Sequence, residues 1–319
     1  MKILKSFFLA LRPLVFVIFV AFMFASCKYD LQRLFFRDPS PDKRSADLEQ
    51  IQTPVVVSNP IDFMIVTDLH FGKEKPKAQE EFFDSLENRK LDFIVFLGDV
   101  VDSGDSENFE EAEQFVQRLK THLGSEFPVP PIYVVLGNHD LYNDGYEEWT
   151  KLNFNAAEGA TFYKFETISM VGDKKYPRSW YVLDTASGIL GTRQLEELRE
   201  SMNEDPNPKV VFSHYPVYTD MNLIMFFKLS DDRERATLID IFDKNDVDMI
   251  FSGHYHPGGF FDYGSFFELC CQSFVENSEE DSSWFFLALD EANRTLSVEK
   301  HSVSSSGEYS QTISDMDLP

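Results

Sequence analysis

Apolar residues along this chain gather in short runs, and each run ends in a polar cluster. "IDFMIVTDLH", "LDFIVFLGDVVD", "PIYVVLGNHD", "KVVFSHYP" and "VDMIFSGHYH" share that design: strand formers first, then carboxylates, amides or imidazoles. Between them, helical spacing predicts helices over 74–88, 107–122, 194–203 and 231–245. Near-continuous apolar strands alternating with helices argue for an α/β fold whose sheets are covered on both faces. Such folds gather their chemistry at the C-terminal ends of strands. Beyond Gly259 the pattern changes to strands with tight turns, and "SWFFLALDEANRTLSVEKHSV" predicts a hairpin turning near Glu291–Arg294.

The two ends read differently. Lys2, Lys5 and Arg12 precede a run of apolar residues from Leu14 to Ala25, then Ser26 and Cys27. That length suits a signal-peptide core better than a membrane span, which needs ~20 residues. Small residues before a cysteine resemble a bacterial lipobox, with Phe24 where that motif usually carries an aliphatic side chain. Lipidation at Cys27 would anchor the protein in the cell envelope, outside the cytoplasm; an uncleaved anchor and ordinary secretion are the alternatives. Residues 28–59, rich in proline and charge, read as a linker, 60–301 as one catalytic domain, and the Ser-rich acidic stretch 302–319 as a disordered tail.

Charge narrows the partners. The 319 residues carry 29 basic and 54 acidic side chains, a net −25, which disfavours nucleic acid and electrostatic docking on anionic lipid. Three cysteines make no disulfide framework; Cys270 and Cys271 are neighbours on a strand, point to opposite faces and read as buried thiols.

Histidine placement changes the picture most. Five of the seven histidines, His70, His139, His214, His254 and His256, lie in strand-end clusters beside Asp68, Asp99, Asp102, Asn138 and Asp140. Imidazole with carboxylate is the donor set of Zn, Fe, Mn and related ions, and these donors outnumber what one tetrahedral ion uses. Two ions are the better inference. Gly98, Gly137 and Gly253 each precede a ligand candidate, where the backbone must leave a strand sharply.

In order, "DLH" (68–70), "GDVVD" (98–102), "GNHD" (137–140), "SHYP" (213–216) and "GHYH" (253–256) resemble the calcineurin-like metallophosphoesterases. "WYVLDTAS" and "GTRQLEEL" resemble the segment before the fourth block in that family. The resemblance implies a four-layer α/β/β/α sandwich with a two-metal site. Asp68, His70 and His256 would hold one ion, Asn138, His214 and His254 the other, and Asp99 would bridge them. Two cations about 3.5–4 Å apart clamp a phosphoryl oxygen and lower the pKa of a shared water, whose hydroxide attacks phosphorus. By the same resemblance the Asp102 carboxylate would orient His139, the general acid for the leaving oxygen. Asp140 is left between a supporting and a purely structural role.

Within the family, "GNHD", "GHYH" and Val101 turn the comparison away from protein phosphatases, purple acid phosphatases and lipid A precursor hydrolases. The blocks most resemble the group holding class III cyclic nucleotide phosphodiesterases. The expected activity is hydrolysis of a small phosphodiester, with a phosphomonoesterase or nucleotidase on the same metals, or a noncatalytic envelope lipoprotein, as alternatives. The apolar run 219–232 and the aromatic run 256–267 read as core packing, or as walls facing substrate.

Overall fold

Apolar strands must bury both faces here, and the protein does so by stacking two sheets between helical layers. The computed structural model describes residues 38–73, 78–125, 127–219, 227–275 and 281–319. In chain order the first elements are α1 (Pro41–Arg44), β1 (Glu49–Gln50), β2 (Val55–Ser58), β3 (Ile61–Val66), α2 (Gln79–Ser85) and β4 (Phe93–Phe96). Then come α3 (Ser106–Leu123), β5 (Ile132–Val134), a 3-10 turn (His139–Asp144), α4 (Tyr146–Trp149), β6 (Tyr163–Val171) and β7 (Lys174–Val182). Next are α5 (Thr192–Glu204), β8 (Lys209–Phe212), α6 (Asp232–Lys244), β9 (Val247–Ser252), β10 (Gly259–Asp262) and β11 (Phe267–Cys270). The chain closes with β12 (Ser282–Asp290), β13 (Thr295–Val303) and β14 (Tyr309–Asp317).

One sheet runs β14-β13-β12-β3-β4-β5, with β3, β4 and β5 parallel; the other runs β1-β6-β7-β8-β9-β11-β10, with β2 also on β6. Strand side chains alternate between faces, and the alternation assigns each one to a layer. Phe63, Ile65, Phe93 and Val95 face Trp180, Phe212 and Phe251 across the inter-sheet core. Met64, Val66, Ile94 and Phe96 point the other way, onto Phe82, Phe109 and Phe115 of α2 and α3. On the far side Tyr181, Val211 and Ile250 meet Leu198, Met202, Leu238 and Phe242 of α5 and α6. Three apolar layers between four structural ones make the expected α/β/β/α sandwich, and the hairpin of β12 and β13 turns at 291–294. Cys270 and Cys271 are buried free thiols.

Two expectations need correction. Residues 38–59 are not a bare linker: Pro41 stands at the start of α1, where its missing N–H costs nothing, and β1 and β2 pair with β6. The stretch 302–319 is not wholly disordered, because β14 pairs with β13 over nine registered positions and Leu318 is buried against the inter-sheet core. Backbone hydrogen bonds carry that strand while its side chains face solvent, so no hydrophobic pattern announces it. The readings of residues 1–27, including Cys27, lie outside the described residues, as do residues 220–226 of the apolar run. Among the described residues no helix is long and apolar enough to cross a membrane.

Candidate metal centre

All five blocks leave their strands at one edge of the sandwich. Asp68 and His70 follow β3, Asp99 and Asp102 follow β4, Asn138 and His139 follow β5, His214 follows β8, and His254 and His256 follow β9. Four of these residues turn the chain through the left-handed region: Asp68 (φ 53°), His70 (φ 47°), Asp99 (φ 48°) and His254 (φ 62°). Non-glycine residues rarely adopt that conformation, and clusters of it mark functional sites.

The donors fall into groups. Asp68, His70 and His256 form one, and Asp99, His214 and His254 another; within each, the ligand atoms lie within 4.8 Å of one another. A further group, His70, Asp102 and His139, meets the same limit. Asp99 stands between the first two: its Oδ2 is 3.2 Å from His214 Nε2 and 3.9 Å from His70 Nε2. Asn138 joins the second group, with Oδ1 3.3 Å from His214 Nε2. His256 Nε2 lies 3.4 Å from Asp68 Oδ1.

Hydrogen bonds outside the groups fix the donors' orientation. Asp68 Oδ2 accepts from Thr67 Oγ1 (2.7 Å) and from the His254 amide (3.1 Å). Asp99 Oδ1 accepts from the His139 amide at 2.8 Å. His214 Nδ1 is 2.9 Å from the Leu97 carbonyl, which leaves Nε2 for the cluster. Asp140 is buried and accepts from the amides of Gly137 (2.8 Å) and Val101 (3.0 Å), so it ties two ligand loops together. Burial, then the charge of Asp99, raises its pKa to about 7.

The residues fit divalent cations. Among the described residues, buried His70 Nε2 has no hydrogen-bond partner, and buried Asp68 Oδ1 meets His256 Nε2 at a long 3.4 Å. Unpaired polar atoms inside a protein are costly unless something else satisfies them. Burial opposes protonation of His214, yet Asp99 beside it raises its pKa to about 9. Carboxylates that draw a proton so strongly onto a buried imidazole offer the same attraction to a metal ion.

His139 and Asp102 meet differently from the expectation. His139 Nδ1 lies 2.8 Å from the main-chain carbonyl of Asp102, and 3.7 Å from its carboxylate. That carboxylate turns instead to Lys73 Nζ (2.6 Å) and His70 Nδ1 (3.4 Å). Lys73 went unnoticed in the sequence, although it stands three residues after His70. So did Tyr142, whose ring centroid is 4.4 Å from that of His139 and whose hydroxyl is 3.2 Å from Asn138 Nδ2. Tyr215, inside the fourth block, stacks on His254 at 3.8 Å. In the aromatic run, Phe266 is core and Phe260 is exposed on the edge strand β10.

A family model described as calcineurin-like phosphoesterase matches residues 61–258, which span all five blocks. The chain belongs to the calcineurin-like phosphoesterase family. GAP50, the anchor in the inner membrane complex of Plasmodium, is similar in structure: TM-score 0.57, 16% identity, 82% of this chain and 90% of that one covered. A dimetal phosphatase from Danio rerio gives TM-score 0.55 and 13% identity over 79% of this chain and 99% of that one. At these identities both relatives speak to the fold alone. No curated protein matches the sequence. Membership in this family implies a metal-dependent phosphoester hydrolase, and the grouped residues could hold metal ions.

Proposed function

We propose that the protein is a dinuclear metal-dependent phosphodiesterase. The observation that carries this reading is the position of Asp99, whose carboxylate lies between the two ligand groups, 3.2 Å from His214 and 3.9 Å from His70. Asp68, His70 and His256 would hold one ion, and Asn138, His214 and His254 the other. Bound ions supply Lewis acidity to the phosphoryl oxygens and a nucleophilic water near neutral pH. The chain's own residues do the rest. His139, anchored through Nδ1 on the Asp102 carbonyl, has Nε2 left to hand a proton to the leaving oxygen. Asp99 holds the His139 amide, which keeps the acid in register with the ligand groups. Lys73 is already committed to Asp102, so it lends little charge to a substrate. A diester, with one negative charge, suits that balance better than a dianionic monoester.

The N-terminal pattern supports a lipid or signal anchor at the cell envelope, with the domain outside the cytoplasm. Mass spectrometry of membrane-extracted protein tests it, since an unmodified, uncleaved N-terminus would remove the lipoprotein reading. For the activity, the full chain is stripped with chelator, resupplied with Mn, Zn or Fe, and given bis(p-nitrophenyl) phosphate or p-nitrophenyl phosphate. Metal-restored turnover favouring the diester is expected. Preference for the monoester would replace the proposal with a phosphomonoesterase on the same ligands. Two bound ions without turnover of either compound would favour a binding role.

A further inference from the structure

A tether has no need of a buried arginine, yet the segment entering this domain carries one. Arg44, at the end of α1, is paired with Asp184 across 140 residues: Nε to Oδ2 at 2.6 Å and Nη2 to Oδ1 at 2.9 Å. The two side chains are 2% and 0% exposed. Arg44 also donates to Ser187 Oγ (3.0 Å) and to the Pro39 carbonyl (2.8 Å). Neighbouring residues grip the same edge of the domain. Asp38 accepts from the Tyr146 amide at 3.2 Å, and Asp42 from the Arg193 amide at 3.1 Å. Buried ion pairs are poor sources of stability, and their best-attested use is to fix one arrangement against others.

What this pair fixes is the turn after β7, and that turn contacts the residues on either side of His214. Thr185 Oγ1 accepts from the Tyr215 amide at 3.0 Å and lies 3.1 Å from Ser213 Oγ. Ser213 Oγ donates to the Tyr215 carbonyl at 2.7 Å, so the Thr185 hydroxyl gives its proton to Ser213. Residues 213 and 215 are thus clamped on either side of His214. The ring of Tyr215 then stacks on His254 at 3.8 Å, with 27° between the planes. Both histidines belong to the group completed by Asp99. Toward the group of Asp68, His70 and His256 the contacts described run through Asp99, 3.9 Å from His70, and through the His254 main-chain amide, which donates to Asp68 Oδ2, and neither involves the His254 ring.

We propose that Arg44 is a positioning residue for the His214–His254 half of the metal centre, acting through Asp184, Thr185 and Tyr215. The inference rests on the two-ion reading above. It makes the N-terminal segment a working part of the site, so that an ion's affinity depends on a side chain outside the family's blocks.

The test is Co2+ titration of the full chain by calorimetry, with the visible spectrum of the bound ion as a second readout. Replacing the pair together (Arg44→Met with Asp184→Leu) leaves neither charge buried alone. In a His256→Ala background, which reports the His214–His254 half, the paired replacement is expected to weaken the remaining ion at least 10-fold and to alter its spectrum. In a His254→Ala background the remaining ion is expected to stay within 3-fold. Equal loss in both backgrounds, or none in either, overturns the inference. Arg44→Lys, which keeps the charge but not the two-pronged fork, is expected to fall between. Should the paired replacement fail to fold, Thr185→Val breaks the same chain without burying a charge, and one-sided weakening is again expected; unchanged binding there overturns the proposal. If the unaltered chain binds fewer than two Co2+ ions, the two-ion reading fails and this inference falls with it.

Discussion

His139 Nδ1 sits 2.8 Å from the carbonyl oxygen of Asp102, while the carboxylate of the same residue is 3.7 Å away and paired with Lys73. The imidazole is therefore oriented by main chain, which no side-chain substitution removes. Burial lowers the pKa of His139, and the charge of Asp99 and the Asp102 carbonyl and carboxylate offset part of that.

This geometry separates two variants. Asp102→Asn keeps the carbonyl anchor, and its cost in kcat is expected to stay below about 10-fold. His139→Ala removes the acid, and a loss of about 10²-fold or more is expected. The loss should grow as the leaving group worsens, because p-nitrophenolate departs with little help while an alkoxide needs a proton. Steady-state kinetics on a series of aryl and alkyl diesters checks both points. Equal losses for the two variants, or a flat leaving-group dependence for His139→Ala, would count against the assignment.

Gly98 sets how closely two ligand loops can approach. It has φ +96°, and a Cβ there would lie 2.3 Å from His214 Nδ1 and 2.6 Å from its Cγ. Gly98→Ala must push the ring of His214 off the Leu97 carbonyl and away from Asp99, besides forcing an alanine into left-handed backbone. The expected cost is about 2–4 kcal/mol of stability. Urea denaturation measures that cost, and metal titration of the same variant should show the ion on the His214 side lost first.

Much of this architecture was legible because the site is written locally. Asp68, Asp99, Asn138, His214 and His254 each follow a run of strand formers, and such runs in a covered sheet end at the same edge. Contacts between distant segments left no such trace. Arg44 and Asp184 are 140 positions apart, and neither stands in a pattern that names the other. Tyr215 was visible inside "SHYP", but its stacking on His254 depends on how β8 and β9 sit side by side. β14 escaped notice for a different reason: main-chain bonds hold it, and its polar, solvent-facing side chains read as tail. The carboxylate of Asp102 was expected to orient His139; it lies 3.7 Å away while the carbonyl of the same residue comes to 2.8 Å, and a carbonyl leaves no mark in the sequence because every residue has one.

Acid should favour folding through a pair at the opposite ends of β3 and β4 from the ligand turns. The Asp62 amide donates to Asp92 Oδ2 at 2.9 Å, and both half-buried side chains sit at the N-terminal ends of β3 and β4. Burial, then the charge of Asp92, raises the Asp62 pKa from 3.8 to about 6. A carboxyl whose pKa is raised on folding takes up protons on folding, so its stabilising contribution is present at low pH and lost as pH rises through about 6. Solvent screening of a half-exposed group leaves about 1 kcal/mol of the effect. Asp62→Asn is expected to raise stability by that amount at pH 8 and by little at pH 4. Chemical denaturation of both proteins across that range measures the difference, and a gain that is constant with pH would rule out titration as its cause.

Arg178 on β7 is the counterpart of Arg44 at a place where only the fold is at stake. It is fully buried, its Nη1 2.7 Å from Asp248 Oδ2 on β9 and its Nη2 2.9 Å from Glu291 Oε2, in the turn that joins β12 to β13. One guanidinium thus joins the two sheets through two carboxylates. Arg294 Nη2 also reaches Asp248, at 2.7 Å, whereas among the described residues Arg178 is the cation that meets Glu291. Arg178→Met would leave Glu291 buried without its partner, and removing one member of such a network costs about 3–5 kcal/mol. Arg178→Lys should recover part of that loss, since an ammonium keeps the charge but cannot meet both carboxylates in the same geometry. Any folded fraction of Arg178→Met is expected to bind metal with unchanged affinity, because its partners lie outside every ligand loop. Denaturation midpoints read the first effect and metal titration the second; one-sided weakening of an ion here would mean that buried ion pairs in this fold tune the metal centre wherever they lie.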